Sequence, residues 1–563
     1  MKAPQQTDDG APIIVRMGTS LVSDLLPQGH ALLRMLQRRV VDPVRPDVAL
    51  RALGYNRRYG PQAALVIKGA AENPDRVAIV DERGSLTYAQ YEAQSNALAR
   101  GLRASGLKSG DVIAVLARDH RGLLLIISAA ARAGMRLAMM NTGFAKPQFS
   151  EVCAREKVQA VFHDSEFTGL LDALPEDMPR YLTWVDESDQ LPDGAQTIDQ
   201  LAAGRDAKRV PPPEKQGGFI ILTSGTTGLP KGAARSKVPP LATAMLVDRI
   251  PFRRRGTIVI ASPIFHSTGF AMWSAGMSVG CTTVTMRRFD PENTLKLIAD
   301  NRADMLVAVP TMLTRMLNLP ADVLAKYDTS CLKSVVVAGS AVSPELSERF
   351  QDTFGDVLHN VYGSTEVAVA TVAKPEDLRT APGTVGKPPV LTTVRLYDEN
   401  DRLVEGTGRR GRVFVRAGAP FEGYSDGKTK QIIDGHLSSG DMGHWDEHGL
   451  LHIDGRDDDM IVSGGENVYP LEVENLLATR DDVIEAAVIG VPDPEFGQRL
   501  RAFVVTADGP PASDEASEAL SGEIRDFVRA NLARFKVPRD VVFLENLPRN
   551  PTGKIVRREL PKD

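Results

Sequence analysis

From Arg76 onward, short apolar runs alternate with stretches of helical period, and this rhythm narrows the fold more than any other feature of the chain. Val77–Val80 reads as a strand. Tyr88–Gly106 reads as an amphipathic helix entered at Ser85 or Thr87, Asp111–Leu116 as the next strand and Arg121–Gly134 as the next helix. Leu137–Met140 and Val158–Phe162 continue the series. It resumes with strand-like Thr257–Ala261, Thr282–Thr285, Met305–Val309, Leu332–Ala338 and Val357–Tyr362, with helices over Pro291–Asn301 and from Pro344. Strands that alternate with helices imply a parallel sheet covered on both faces. From about Gly383 to Val415 the pattern changes to short strands between glycines and charged turns, as in a small β-barrel or distorted sheet.

The C-terminal stretch reads differently again. It has helices at Leu471–Thr479 and Ser517–Ala533 and strands at Ile484–Gly490 and Leu500–Thr506. With 563 residues the chain exceeds one hydrophobic core. The expected class is therefore α/β: a large N-terminal domain of wrapped, parallel-rich sheets with a small β-barrel-like part, then a small, mobile α+β C-terminal domain. The expected divisions are an N-terminal extension of amphipathic character (1–70), the large domain (71–454), a hinge in the charged run GRDDD (455–459) and the small domain (460–563).

Between the two strand series lies ILTSGTTGLPKGAAR, Ile221 to Arg235. Apolar Phe219–Leu222 has strand character, and then the chain becomes small and hydroxyl-bearing. Glycines let backbone N–H groups converge on an anion and hydroxyls add donors. Lys231 adds a point charge on a flexible stem. A triphosphate suits such a loop. It is not a Walker loop, which needs Gly before the Lys and Ser or Thr after it; here Pro230 precedes Lys231 and Gly232 follows.

Other segments carry chemistry-bearing residues. In VYGSTEV, Glu366 follows a strand, where open α/β sheets bind ligands, and one carboxylate with phosphates suffices for Mg2+. In SSGDMGHWDEHGLLHIDGR, Asp441 sits in a glycine-flanked turn where a carboxylate can accept both ribose hydroxyls, and Arg456 follows fifteen residues later. In DMIVSGGENVYPLEVEN, Gly464 and Gly465 let a thin chain pass close to the backbone, while Pro470 suits the opening of a helix. AGSAVSPEL reads equally well as a ligand loop or as a helix start capped by Ser343. Lys554 follows Gly553 in a Pro/Gly loop, and FHSTGF carries His266. Taken singly, these segments also read as surface turns or helix starts.

TSGTTGLPKG resembles the signature loop of the adenylate-forming superfamily, which includes acyl-CoA synthetases, luciferases and the adenylation domains of peptide synthetases. The remaining motifs follow in that family's order from about Glu72 to Val556. The resemblance implies that Lys231, Thr365, Glu366 and Lys554 are catalytic. It places Thr223, Ser224, Gly225, Thr226, Thr227 and Gly228 around the ATP phosphates, and Gly339, Ser340 and Ala341 against adenine and the acyl pocket. Tyr362, with Gly363 and Ser364, faces adenine, and Thr365 touches the α-phosphate. Glu366 and Thr223 bind Mg2+, while Asp441, Ile453 and Arg456 bind the nucleoside side. Lys554 bridges the attacking carboxylate and the α-phosphate. The CoA path takes Gly464, Gly465 and Glu466, the acyl pocket His266, Phe270, Gly339 and Gly363, and the hinge Asp458.

The implied reaction joins a carboxylic acid to CoA through an acyl-adenylate, with ATP, Mg2+ and CoA as cofactors. The apolar, aromatic-poor surroundings and SGGENVYPLEVE are similar to bacterial fatty-acyl-CoA synthetases, so a medium- or long-chain fatty acid is expected. Aryl or terpenoid acids, a carrier protein as acceptor, a luciferase-like oxygenase and a non-catalytic acyl- or nucleotide-binding relative remain alternatives, and a homodimer is left open.

A net charge of −5 argues against a general nucleic-acid binder. Cys153, Cys281 and Cys331 lie far apart, without the spacing of a disulfide framework or a zinc site. MKAPQQTDDGAP lacks the apolar core of a signal peptide, so a cytoplasmic location is expected. Arg34, Arg38, Arg39, Arg45, Arg51, Arg57 and Arg58 lie among leucines and valines. That pattern fits a helix packed on its own domain, and leaves peripheral contact with the inner membrane face open.

Overall fold

The computed structural model describes residues 27–41, 46–186, 189, 194–223, 231–235, 239, 241–419, 421, 423–424, 429–457, 459–463, 466–493, 497–550 and 553–561. The α/β class expected from the alternation is what is found: a large N-terminal part built on parallel sheets, and a smaller C-terminal part. In one sheet the strand order is Ala368–Ala373, Leu358–Ser364, Ser334–Val337, Met305–Ala308, Thr257–Ile260, Thr282–Thr285, Val77–Asp81, Gly84–Thr87. Its inner strands run parallel and its two edges antiparallel. The second sheet runs Gln196–Thr197, Arg180–Trp184, Val158–Asp164, Val112–Leu116, Arg136–Met139, Phe219–Thr223, Lys231–Arg235, and only the last pair is antiparallel. Strands such as SVVV and MLVA are almost wholly apolar because both of their faces are covered.

One large core lies between these sheets, and the helices Arg121–Ala133 and Ser267–Ser278 contribute to it. Within it Arg132 is fully buried. Its guanidinium is paired with Glu92 and also donates to Asn96 Oδ1 and Ser128 Oγ, at 3.3 Å each. The Tyr88–Ala104 helix starts from a reciprocal cap, Thr87 Oγ1 accepting from Gln90 N and Gln90 Oε1 from Thr87 N.

Among the described residues, three helices precede the first strand: α1 (27–37), α2 (Pro46–Tyr59) and α3 (Pro61–Glu72). α3 belongs to the core, with Ala63, Val66 and Ile67 fully buried. On α1, Ala31 and Met35 are buried while Arg34 is exposed. Among the described residues no helix is long and apolar enough to cross a membrane.

An antiparallel sheet of Thr392–Tyr397, Gly411–Ala417, His436–Trp445, Ile432–Ile433 and Leu451–Arg456 follows. The C-terminal sheet joins Glu466–Val468, Ile461–Ser463, Gly497–Thr506, Val483–Asp493 and the parallel strand Asp540–Phe543. Its long helix spans Asp514–Asn531, three residues earlier than the apolar pattern indicates, because Ser513 caps it by accepting from Ala516 N.

At Gly69 an added Cβ would lie 2.2 Å from the Tyr88 ring, which is fixed by its hydroxyl's bond to the Cys281 carbonyl, 2.7 Å. Gly69→Ala is expected to destabilise the large domain by roughly 2 kcal/mol through overpacking, read as a lower denaturant midpoint. Gly84→Ser, at a position with open space around it, serves as a surface control only for overpacking, since its φ of 94° adds backbone strain.

Candidate active site

The carboxyl ends of the first sheet's parallel strands and the antiparallel sheet meet at a cleft of about 2700 Å³. Register builds one side of it. Strands His436–Trp445 and Leu451–Arg456 pair so that Asp441 lies opposite Arg456. Arg456 Nη1 donates to Asp441 Oδ1 at 3.2 Å, and the Tyr362 hydroxyl donates to Asp441 Oδ2 at 2.5 Å. Burial first, and then the neighbouring Asp441 charge, push the Tyr362 phenol well above its ordinary value, so it stays a donor. Gly440 holds φ 84°, and a Cβ there would come within 3.1 Å of the Arg456 guanidinium. Ile453 lines the same cleft.

Glu366 stands in the turn between strands Leu358–Ser364 and Ala368–Ala373. The turn is tight: a Cβ on Gly363 would lie 1.9 Å from the Ala368 carbonyl oxygen, and Ala368 itself has φ 58°. The Glu366 carboxylate accepts from the Tyr424 hydroxyl at 2.6 Å and from Ser364 Oγ at 2.8 Å. Burial raises its proton affinity, but the Lys430 charge and these two donors outweigh that and hold it below the usual carboxylate range. It is a buried acid that stays ionised. Among the described residues no group of three or more His, Cys, Asp or Glu could hold a metal ion. An ion here would thus take Glu366 together with phosphate oxygens, a donor set that suits Mg2+.

Lys554 enters this cleft from the C-terminal part. Its loop is pinned, with Lys554 N donating to Asn550 Oδ1 and Gly553 N to the Asn550 carbonyl, each at 2.9 Å. Gly553, at φ 77°, stands so near the large domain that a Cβ would lie 2.6 Å from Thr311 Oγ1. Burial and the Arg456 charge lower the Lys554 proton affinity, and Asp441 and Asp459 offset only part of this. Arg557 ties the expected hinge to the C-terminal part, at 3.6 Å from Asp459 and 2.6 Å from Glu474.

On the opposite side, His266 precedes the Ser267–Ser278 helix, and both His266 and Phe270 line the cleft. His266 Nε2 is buried without a hydrogen-bond partner among the described residues, and burial lowers the imidazole to about 3. It is neutral at physiological pH. Phe270 is buried against Phe219 and Trp273, with ring centroids at 4.7 and 5.7 Å. Gly339, Ser340 and Ala341 follow strand Ser334–Val337 and border the cleft, as do Tyr362, Gly363, Ser364 and Thr365.

The strands flanking the glycine-rich loop pair with Thr223 opposite Lys231. Ser224, Gly225, Thr226, Thr227, Gly228, Asp458, Gly464 and Gly465 lie outside the described residues. Glu466 is placed as backbone in strand Glu466–Val468.

Four cleft residues have no motif that marks them in sequence: Thr311, Tyr424, Lys430 and Asp119. The available signal for Asp119 is its position just past the carboxyl end of strand Val112–Leu116. Its two carboxylate oxygens accept from Ile264 N at 3.0 and 3.2 Å, two residues before His266. Burial pushes the Asp119 carboxyl up to about 8.

With this geometry in place, the comparisons with known proteins are decisive. Residues 67–425 match the AMP-binding enzyme family and residues 472–554 match the AMP-binding enzyme C-terminal domain. The chain belongs to the AMP-binding enzyme family. It is 31% identical over 523 residues to fatty acid–[acyl-carrier-protein] ligase ScoC of Streptomyces coeruleorubidus, across 90% of this chain and 97% of that protein. It is 32% identical over 496 residues to indoleacetate–CoA ligase of Aromatoleum aromaticum, across 86% and 94%. Among solved structures, ATP-bound MatB from Rhodopseudomonas palustris superposes with a TM-score of 0.77 at 27% identity, over 88% of this chain and 97% of that one. The class is that of the AMP-forming acid–thiol ligases.

Asp119 gives this AMP-binding enzyme a testable pH dependence. An acid whose folded pKa lies above its unfolded value binds more protons when folded, so stability falls as pH rises from about 4 to about 8. Asp119→Asn keeps an acceptor for Ile264 N without the charge. The variant is expected to match wild type near pH 4 and to exceed it at pH 8 by a few kcal/mol, since each tenfold change in proton affinity is worth about 1.4 kcal/mol. Denaturant midpoints across that range measure it.

Proposed function

We propose that the protein activates a medium- or long-chain fatty acid with MgATP and transfers the acyl group to CoA, releasing AMP and pyrophosphate. The observation that carries the choice of acid is the continuity of the cleft. One cavity of about 2700 Å³ is lined by Asp441 and Lys554 and also by His266, Phe270, Ala275 and Leu65, with apolar side chains far beyond what an acetate or malonate needs.

In this reading Asp441 accepts the ribose hydroxyls, with Arg456 and Tyr362 holding its carboxylate in place. Tyr362 and Gly339–Ala341 border the adenine. The 223–228 loop and Lys231 surround the triphosphate. Mg2+, held by Glu366 with Thr223 near it, would offset phosphate charge. Thr365 donates to the α-phosphate, and Lys554 places its ammonium between the acid's carboxylate and that phosphate. Such chemistry rests on positioning and charge stabilisation more than on proton transfer. His266, neutral in its apolar setting, orients the acid instead of deprotonating it; the substrate carboxylate is already ionised at neutral pH.

The thiol step needs Lys554 out of the way. Rotation of the C-terminal part about 455–459, with Asp458 as pivot, would withdraw Lys554 and bring Gly464, Gly465 and Glu466 to the cleft to guide the pantetheine arm. The similarity to a carrier-protein ligase favours a second reading in which the acceptor is a carrier's phosphopantetheine.

Pyrophosphate and AMP release is to be measured over acids from acetate to oleate and over cinnamate-type acids, with and without CoA. CoA-dependent turnover is expected to peak on one aliphatic length. Exchange that CoA leaves unchanged would point to a carrier protein, and a peak on aryl acids would replace the fatty-acid reading. Lys554→Ala is expected to slow adenylate formation by about 10²–10³-fold, as for removal of one transition-state donor. It should leave thioester formation from added acyl-adenylate near the wild-type rate. Equal losses in both half-reactions would refute the assigned role.

A further inference from the structure

We infer that the N-terminal helices α1–α3 form the outer wall of the acid channel and that Met35 on α1 sets the bulk and length of acid the channel takes. This deepens the fatty-acid reading and rests on it.

One wall of the channel is the Ser267–Ser278 helix. Beyond Phe270, the residues of that helix that line the cavity include Ala271, Ser274, Ala275 and Ser278. Their spacing of three and four puts them on one helical face, and all four are small. A stripe of small residues leaves a groove only if something faces it. Here α3 does, with Pro61, Ala64, Leu65 and Lys68 lining the same cavity at the same helical spacing.

The two helices are held at fixed separation. Lys68 Nζ donates to the Ser278 carbonyl at 2.7 Å, a cation at the last turn of a helix, where it is favoured. Just before α3, the last residue of α2 is anchored as well, the Tyr59 hydroxyl donating to the Val210 carbonyl at 2.9 Å. From Ala271 to Ser278 the groove rises about 10 Å at 1.5 Å per residue. With carbon–carbon bonds of about 1.5 Å in a zigzag, that is room for roughly eight carbons of an extended chain beyond Phe270.

α1 closes the remaining side. Arg34 Nε pairs with Asp248 Oδ1 at 2.8 Å and Arg38 Nε donates to the Val247 carbonyl at 3.1 Å. These two contacts seat α1 beside the short helix Ala244–Val247, whose Met245 and Leu246 also line the cavity. Met35 lines it from α1 and is 6% exposed, whereas Leu32, one turn earlier, lines it and is 46% exposed. The cavity thus reaches the surface beside Leu32, with Met35 on the inner side of that opening. An unbranched thioether side chain is an adaptable closure for a channel that must admit chains of several lengths. Most of this wall precedes residue 67, where the family match begins.

The test compares wild type, Met35→Trp, Met35→Ala and Leu65→Trp in CoA-dependent pyrophosphate release from hexanoate to oleate. Octanoate serves as the internal check that each variant is folded. Met35→Trp and Leu65→Trp are expected to cut kcat/KM for palmitate and oleate by about tenfold or more, within the 10–200-fold range of apolar pockets, with octanoate within about twofold of wild type. Met35→Ala is expected to move the optimum to longer chains. Aliphatic profiles that coincide in wild type and both Trp variants would overturn the wall while leaving the fatty-acid reading intact. A wild type active only on compact aryl acids would overturn both.

Discussion

Asp441 and Arg456 face each other across an antiparallel pair, and three pieces of the chain come together at that meeting. Tyr362 arrives from the strand next to the edge of the first sheet, Asp441 and Arg456 from the antiparallel sheet, and Lys554 from the C-terminal part. A hydrogen bond to an ionised acceptor is worth about 1.5–3 kcal/mol, more than a neutral one, so the Tyr362–Asp441 contact holds one sheet against the other. The same carboxylate raises the proton affinity of Lys554, which Arg456 and burial lower. One negative charge therefore holds the two sheets together and also opposes, without cancelling, the burial and the Arg456 charge that lower the proton affinity of Lys554.

Two buried carboxylates near the cleft take opposite forms, and their neighbours explain why. Glu366 and Asp119 both lose solvation, which alone would protonate each of them. Around Glu366, the Lys430 charge and hydroxyl donors from Tyr424 and Ser364 more than compensate, and the acid remains an anion able to face a cation. Asp119 has a backbone donor, Ile264 N, and the more distant Arg118, which do not suffice. Its role is to hold the segment that carries Phe265 and His266. The chain thus uses one carboxylate for charge and another for position.

How much of this is legible in sequence depends on the range of the interaction. Strands such as TIVI and MLVA can be read because burial on both faces leaves them almost wholly apolar. The Asp441–Arg456 pair can be anticipated because a hairpin converts their fifteen-residue spacing into opposition, with Gly449 in the turn at φ 67°. The contribution of Thr311 cannot, since it depends on the C-terminal loop arriving at Gly553 from more than two hundred residues away. The N-terminal helices are legible in part. Their arginines fit a helix packed on its own domain with its charges in water, and Arg34 on α1 is exposed; α3 (PQAALVIKGAAE) carries no arginine and is largely buried. Likewise, apolar periodicity locates the middle of helix Asp514–Asn531, but its start is set by the polar cap Ser513.

The arrangement separates the shared chemistry from the choice of acid. Residues that face the nucleotide side of the cleft hang from strand ends and register pairs, where a shift of one residue would turn each side chain to the other face. Those positions tolerate little change. The outer wall of the channel is instead made by helix faces, where one side chain can be exchanged for another of different volume while the backbone stays in place, at modest cost if the packing is kept. α3 is fixed by the Lys68–Ser278 contact and by Gly69 against Tyr88, so its frame is rigid. α1 is seated by two arginines that reach the Val247–Asp248 segment, and it presents Met35 to the cavity and leucines to solvent. In the proposed reading, a floor fixed by strand register and a wall that can be exchanged would let one adenylating scaffold serve acids of different size.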